Sequence, residues 1–312
     1  MKKNIFKIAA LSVLLTFTNC NTDNRSNNDL ETTTSSTNIN SLKTSLQNFN
    51  KNYKFKVVSN SNIAAKKKWW QVVGQVTAIA AGDVGGAAGM VGSVQILAGV
   101  VGAATAGTGY AIVSGGAAIV GAVGGSYAAY CGTGGHCRGT FNATTPVGSS
   151  VVYDFPSQYD YLENFGVLHN NALQNVYMDE NPKNELEWIE NNIPRINEID
   201  YIKLYNSEEF KTARNNVNAI NVAYKNSGYD TSVLLNGLKD KEMISQNTYD
   251  ILSLYFDATL RSQTFEDYKN ITDFYTNTVI SSNELSDIDK QSLLAAFSVS
   301  IQSYYYWLNI EE

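Results

Sequence analysis

The sequence predicts a mainly α-helical protein, with a Gly/Ala-rich helical hairpin followed by a C-terminal α-helical domain. Three observations carry this. Nineteen of the 23 glycines fall between Gly74 and Gly139, interleaved with Val, Ile, Leu, Ala and Met rather than with polar residues. Beyond residue 141, apolar residues recur at helical intervals between capping and turn residues. The charge divides in the same region: residues 1–150 carry 12 Lys/Arg against 4 Asp/Glu, whereas 151–312 carry 11 against 25. An acidic back half disfavours nucleic acid as a partner, and a basic front half favours anionic lipid.

Taken in order, residues 1–19 read as a secretory signal. Lys2, Lys3 and Lys7 precede a short apolar run from Ile8 to Leu15, and Thr-Phe-Thr-Asn leads into Cys20. That ending resembles the signal of bacterial lipoproteins, which implies a diacylated Cys20 as the new N-terminus. Phe17 and Asn19 depart from the usual residues before the cysteine, so ordinary cleavage with an unmodified Cys20 stays open. Residues 20–62 are rich in Asn, Ser and Thr and are expected to be a disordered tether. Asp23, Asp29 and Glu31 near its start resemble the surface-export signals of Bacteroidota lipoproteins. The expected location is the cell envelope, anchored by lipid to the outer membrane, with the face of that membrane left open.

Residues 63–140 form the glycine-rich segment. Gly85/Gly89 and Gly121/Gly125 are four apart, and Gly85/Gly92/Gly99 and Gly102/Gly109/Gly116 are seven apart, so each set returns to one helix face. In water so much glycine penalises a helix by about 1 kcal/mol per residue relative to Ala. In lipid the backbone must satisfy its own hydrogen bonds, and small residues let two helices approach closely. Val84–Thr105 and Tyr110–Tyr130 each approach the roughly 20 residues that cross a bilayer, with a turn at 106–109. Trp69 and Trp70 on the way in, and Tyr127 and Tyr130 on the way out, are the expected interfacial anchors. Asp83, the only charge between Gly82 and Gly132, is expected at the interface. A buried Gly/Ala helix pair inside protein is the competing reading. The segment resembles the glycine zippers of bacterial outer-membrane lipoproteins and of some pore-forming or bacteriocin-like peptides, which implies membrane association and no catalytic residues.

Of the three cysteines, acylation uses Cys20, leaving Cys131 and Cys137 with five residues between them in a glycine-rich loop. A disulfide between them is expected in an oxidising compartment. A Cys-His-Cys metal site with His136 is the alternative, and it lacks a fourth ligand.

Residues 141–312 are expected to be an α-helical domain. The predicted helices cover about Gln158–Tyr177, a stretch from Asn181-Pro182 to before Pro194, one starting at Ser207 and ending near Gly228, Ser232–Lys239, Thr248–Arg261, Phe265–Ile280 and Ser286–Asn309. Thr264 and Ser286, each with Asp three residues on, resemble N-caps. At helical spacing Glu163, Gly166, Asn170 and Leu173 fall on one stripe with His169 beside them, predicting a polar cluster where two helices cross closely. This block, with SLLAAFSVSIQSYYYW from Ser292 to Trp307, resembles a group of Bacteroidota lipoproteins of uncharacterised function sharing a Glu-x-x-Gly-x-x-His-Asn-x-x-Leu helix. The resemblance brings no chemistry with it.

Glu and His are a common acid/base pair, but no nucleophile motif accompanies them. The predicted role is therefore a non-enzymatic cell-envelope lipoprotein with no cofactor and no metal. Its expected partners are the lipid bilayer, together with an envelope protein or a second copy meeting the glycine faces. An antibacterial or pore-forming effector whose hairpin enters a target membrane is the second reading, and a hydrolase using Glu163 and His169 the third.

Overall fold

A helix that is buried on every side needs partners on every side, and two such helices organise this protein. The computed structural model describes residues 39–56, 63–93, 119, 122–123, 126, 153–178, 182–193 and 201–308, without the side chains of 63–73 and 201. All belong to one unit, Asn38–Glu312. Among the described residues there are ten α-helices and no strand.

The first helix, α1 (Asn40–Asn52), lies where the composition predicts a tether. Leu42, Leu46 and Phe49 recur at helical spacing within the Asn/Ser-rich stretch, and this stripe is enough to dock it. Phe49 stacks on Phe274 at 3.8 Å, Lys43 pairs with Asp250 at 2.7 Å, and the Tyr275 hydroxyl donates to the Asn50 side-chain oxygen at 2.9 Å. The tether reading is thus corrected for residues 40–52. The average composition concealed a periodic face.

Helix α2 (Ile63–Gly92) starts well before Val84, where the sequence predicts the first hairpin arm. Residues 76–91 are all buried. No helix among the described residues is long and apolar enough to cross a membrane.

After an extended stretch at 153–156, the predicted helix over 158–177 is three pieces: a 3₁₀ turn at Asp160–Leu162, α3 (Phe165–Ala172) and a π turn at Leu173–Met178. Next, α4 (Glu185–Asn192) begins later than the predicted Asn181-Pro182 start. The Lys183 amide bonds back to the Asn175 carbonyl at 3.0 Å, and Asn184 is the cap that accepts from the Glu187 amide. After it come α5 (Tyr201–Asn206), α6 (Glu208–Asn226), α7 (Thr231–Asp240), α8 (Gln246–Thr259), α9 (Phe265–Ser281) and α10 (Asp287–Leu308). Ser207, Asp230, Ser245, Thr264 and Ser286 cap the last five of these, each through a side-chain oxygen that accepts a backbone N–H.

Helices α2 and α10 form the most extensive helix pair, and residues 292–304 of α10 are buried without a break. The amphipathic helices wrap them: α3 and α9 lie against α10, α6 and α7 against α2, and α1 against α8 and α9.

The glycine spacing predicts a second hairpin arm against Gly85, Gly89 and Gly92. In the structure a Cβ at these positions would meet Leu234, Leu238 and the Met243 carbonyl, so their face is covered by α7 and the turn after it. The glycines do permit close approach, but the visiting groups are leucine side chains and one peptide group.

Candidate functional site: a buried polar cluster on α2

Asp83 lies near the C-terminal end of α2 with no exposure to solvent, which corrects its expected place at a membrane interface. Four elements meet around it. The Ser303 hydroxyl, from α10, donates to the Asp83 Oδ2 atom. His169 from α3 places Nε2 3.7 Å from the same oxygen. The Ser126 hydroxyl lies 3.2 Å from that Nε2.

The histidine's orientation can be derived from its neighbours. The Asn170 amide nitrogen donates to the Gln302 carbonyl at 3.0 Å, so Asn170 Oδ1 faces His169 Nδ1, also at 3.0 Å. An amide oxygen only accepts, which assigns the proton to Nδ1 and leaves Nε2 of the neutral ring to accept from Ser126. Beneath this, Gly166 admits α10: a Cβ there would sit 2.2 Å from the Ser298 carbonyl oxygen. The Gly166 amide donates to the Ser298 hydroxyl at 3.2 Å, and that hydroxyl donates to the Glu163 carbonyl at 3.1 Å.

Burial controls the charge state. It pushes the Asp83 carboxyl up to about 8, with the Ser303 hydroxyl, and that of Ser126 when it turns from Nε2 to the carboxylate, pulling against it. It pushes His169 down to about 4, with Asn170 and the Ala122 backbone opposing. Near neutral pH both groups are uncharged, which avoids placing an ion in a low-dielectric core. The Asp83 Oδ1 atom has no hydrogen-bond partner among the described residues.

The predicted polar cluster is therefore partly assembled. Gly166, His169 and Asn170 meet at a close crossing with α10, whereas the Glu163 carboxylate turns away and accepts the Phe155 amide at 2.6 Å. Sequence reasoning placed Asp83 elsewhere and did not single out Ser126, Ser298, Gln302 or Ser303. Asp83 carried a signal as the lone charge of its segment, and Ser298 and Gln302 are four apart on one helix face. Chemically, the arrangement differs from a nucleophile triad, in which the carboxylate orients the ring through Nδ1. Here Nδ1 is committed to Asn170, and the carboxyl and Ser126 share the Nε2 side.

A second cluster joins the π turn, α4, α5 and α6. Arg214 pairs with Glu185 at 2.8 Å, and Tyr177 and Tyr205 both donate to the Glu185 carboxylate. Beside it, Ile119, Val123, Ala172 and Trp188 line a cavity of about 10 Å³, room for a single water. No three His, Cys, Asp or Glu side chains converge among the described residues.

Several predicted sites lie outside the described residues: Cys20, Cys131, Cys137, Gly99, Gly102, Gly109, Gly116, Gly121, Gly125, Tyr127 and Tyr130. Trp69 and Trp70 fall within α2, with their side chains outside that description. No family model, curated protein or solved structure matches this chain.

Proposed function

We propose that this is a non-enzymatic, lipid-anchored cell-envelope protein that keeps the front of a membrane-active glycine-rich segment sheathed inside its own helical unit. One observation carries the reading: residues 76–91 of α2 are all buried and apolar apart from Thr77 and Asp83, and the glycine face is covered by α6, α7 and the turn at Met243. An all-round apolar helix suits either a protein core or lipid, and a sheath that opens would offer the second environment. The seam with α6 is imperfect, which favours opening there. Asn221, buried beside Gly82, has neither amide atom paired among the described residues, a cost of about 1–3 kcal/mol for the closed form. The complete burial of His169, with both ring nitrogens facing protein groups, supports a positioning role rather than turnover.

A disulfide lock tests this. A Cβ at Gly85 would lie 3.0 Å from Leu234 Cγ, which puts the Leu234 Cβ at most about 4.5 Å away, within disulfide reach. Unlipidated protein with Gly85→Cys and Leu234→Cys, and with Cys131 and Cys137 changed to Ser, should float with anionic vesicles and release an entrapped dye only after reduction. Flotation that is equal in the oxidised and reduced forms, or absent in both, overturns the proposal.

A further inference from the structure

The Asp83 cluster has a property that depends on counting protons. From α10 the group facing Asp83 is Ser303, which is neutral. From α3 they are His169 and Asn170, and from the 119–126 stretch Ser126. From α6 the Tyr224 phenol is near enough to feel the carboxylate, and it is held neutral at ordinary pH by burial. No Lys or Arg pairs with Asp83 among the described residues. Among the described residues, the core around Asp83 is therefore neutral only when the Asp83–His169 pair carries one proton in excess of carboxylate plus neutral imidazole.

We propose that Asp83 and His169 form a one-proton lock, so that docking α2 into the core takes up a proton near neutral pH and a rise in pH loosens α2 from α3 and α10. The lock is a property of the core itself. It rests on the sheathed reading only for where a loosened α2 would go.

The sign follows from the two directions of shift. Asp83 is raised from 3.8 to about 8 in the folded protein, so above 3.8 the unfolded chain has lost a proton that the folded one keeps. His169 is lowered from 6.5 to about 4, so below 6.5 the unfolded chain holds a proton that the folded one lacks. Between about 4 and 6.5 the two differences cancel and stability is flat. From 6.5 to about 8 only the Asp83 difference remains, and stability falls as pH rises.

Denaturant unfolding of the full chain, without lipid, reads this directly. In the wild type the unfolding constant should rise up to about tenfold per pH unit from pH 6.5 to 8, the slope of one proton. Asp83→Asn, which keeps a neutral hydrogen-bonding group in the same volume, should remove that slope. A wild type that is flat across the window, or an Asp83→Asn variant with the same slope, overturns the lock. Should that variant not fold, difference infrared spectroscopy on the wild type decides. A protonated-carboxyl band present at pH 7 and abolished by denaturant supports the lock, and its absence overturns it. Because no membrane is present, failure here is distinct from failure of the sheathed reading.

Discussion

Helices α2 and α10 occupy the same position in the fold and are buried by opposite means. Helix α2 withholds side chains: its glycines at 85, 89 and 92 let Leu234, Leu238 and the Met243 peptide come against its backbone. Helix α10 extends them: Phe297, Tyr304, Tyr306 and Trp307 reach outward, with Tyr304 stacked on Tyr268 at 4.0 Å. Their polar groups differ in the same sense. Along the buried run of α2 the charge is Asp83 alone, whereas α10 carries Ser298, Ser300, Gln302 and Ser303 into the core. A helix buried by absence should tolerate no added atoms, and a helix buried by reach should tolerate no removed ones.

The largest effect expected from this contrast is at Gly92, where a Cβ would lie 1.8 Å from the Met243 carbonyl oxygen, a backbone atom that cannot swing aside. Gly92→Ala should cost about 3 kcal/mol or more, read as a lowered midpoint in urea. Gly166→Ala, with the Ser298 carbonyl at 2.2 Å, belongs to the same class. Wild-type stability in both variants would show that the α2 and α10 contacts yield more readily than close packing allows.

A smaller loss is expected from removing an atom on α10. Ser300 accepts or donates at 2.8 Å to the Tyr255 hydroxyl and at 2.5 Å to that of Tyr268. Ser300→Ala leaves the Tyr268 hydroxyl only Tyr255 to bond with and should cost about 1 kcal/mol. The double variant with Tyr268→Phe, which removes both partners, should recover most of the loss. A double variant no more stable than Ser300→Ala alone would mean that the serine acts through packing.

The smallest effect has the opposite sign. Gly74 is exposed on α2, and a Cβ added there would meet nothing within 4 Å, so it lies outside the buried run. Gly74→Ala should stabilise the protein by about 1 kcal/mol through helix propensity alone. A loss at this site would extend the crowded part of α2 toward its N-terminus.

Much of the helical plan was legible from local chemistry. Ser207, Thr264 and Ser286 cap the helices expected of them, since a cap is decided by a side chain and the next three residues. The crossing at Gly166, His169 and Asn170 was legible too, because three small or polar residues on one helix face need a close partner. What failed depended on distant partners. Residues 40–52 look unstructured until Phe274 and Tyr275 are placed beside Phe49 and Asn50. Asp83 looks like a residue for the water interface until Ser303, 220 positions away, supplies a donor inside the core. The glycine faces were legible as contact surfaces, but nothing in the glycines specifies leucine from α7 as the occupant.

The placement of α10 has a consequence for how the chain is made. A ribosome delivers α2 early and α10 about 200 residues later, yet the two are mutual core partners, as the Asp83–Ser303 contact shows. Residues 76–91 therefore emerge with their most extensive neighbour still unsynthesised. The protein cannot condense from its N-terminal end forward, as chains built of successive local units do. Its assembly waits on the residues of α10, and until then the glycine-rich helix lacks its most extensive partner.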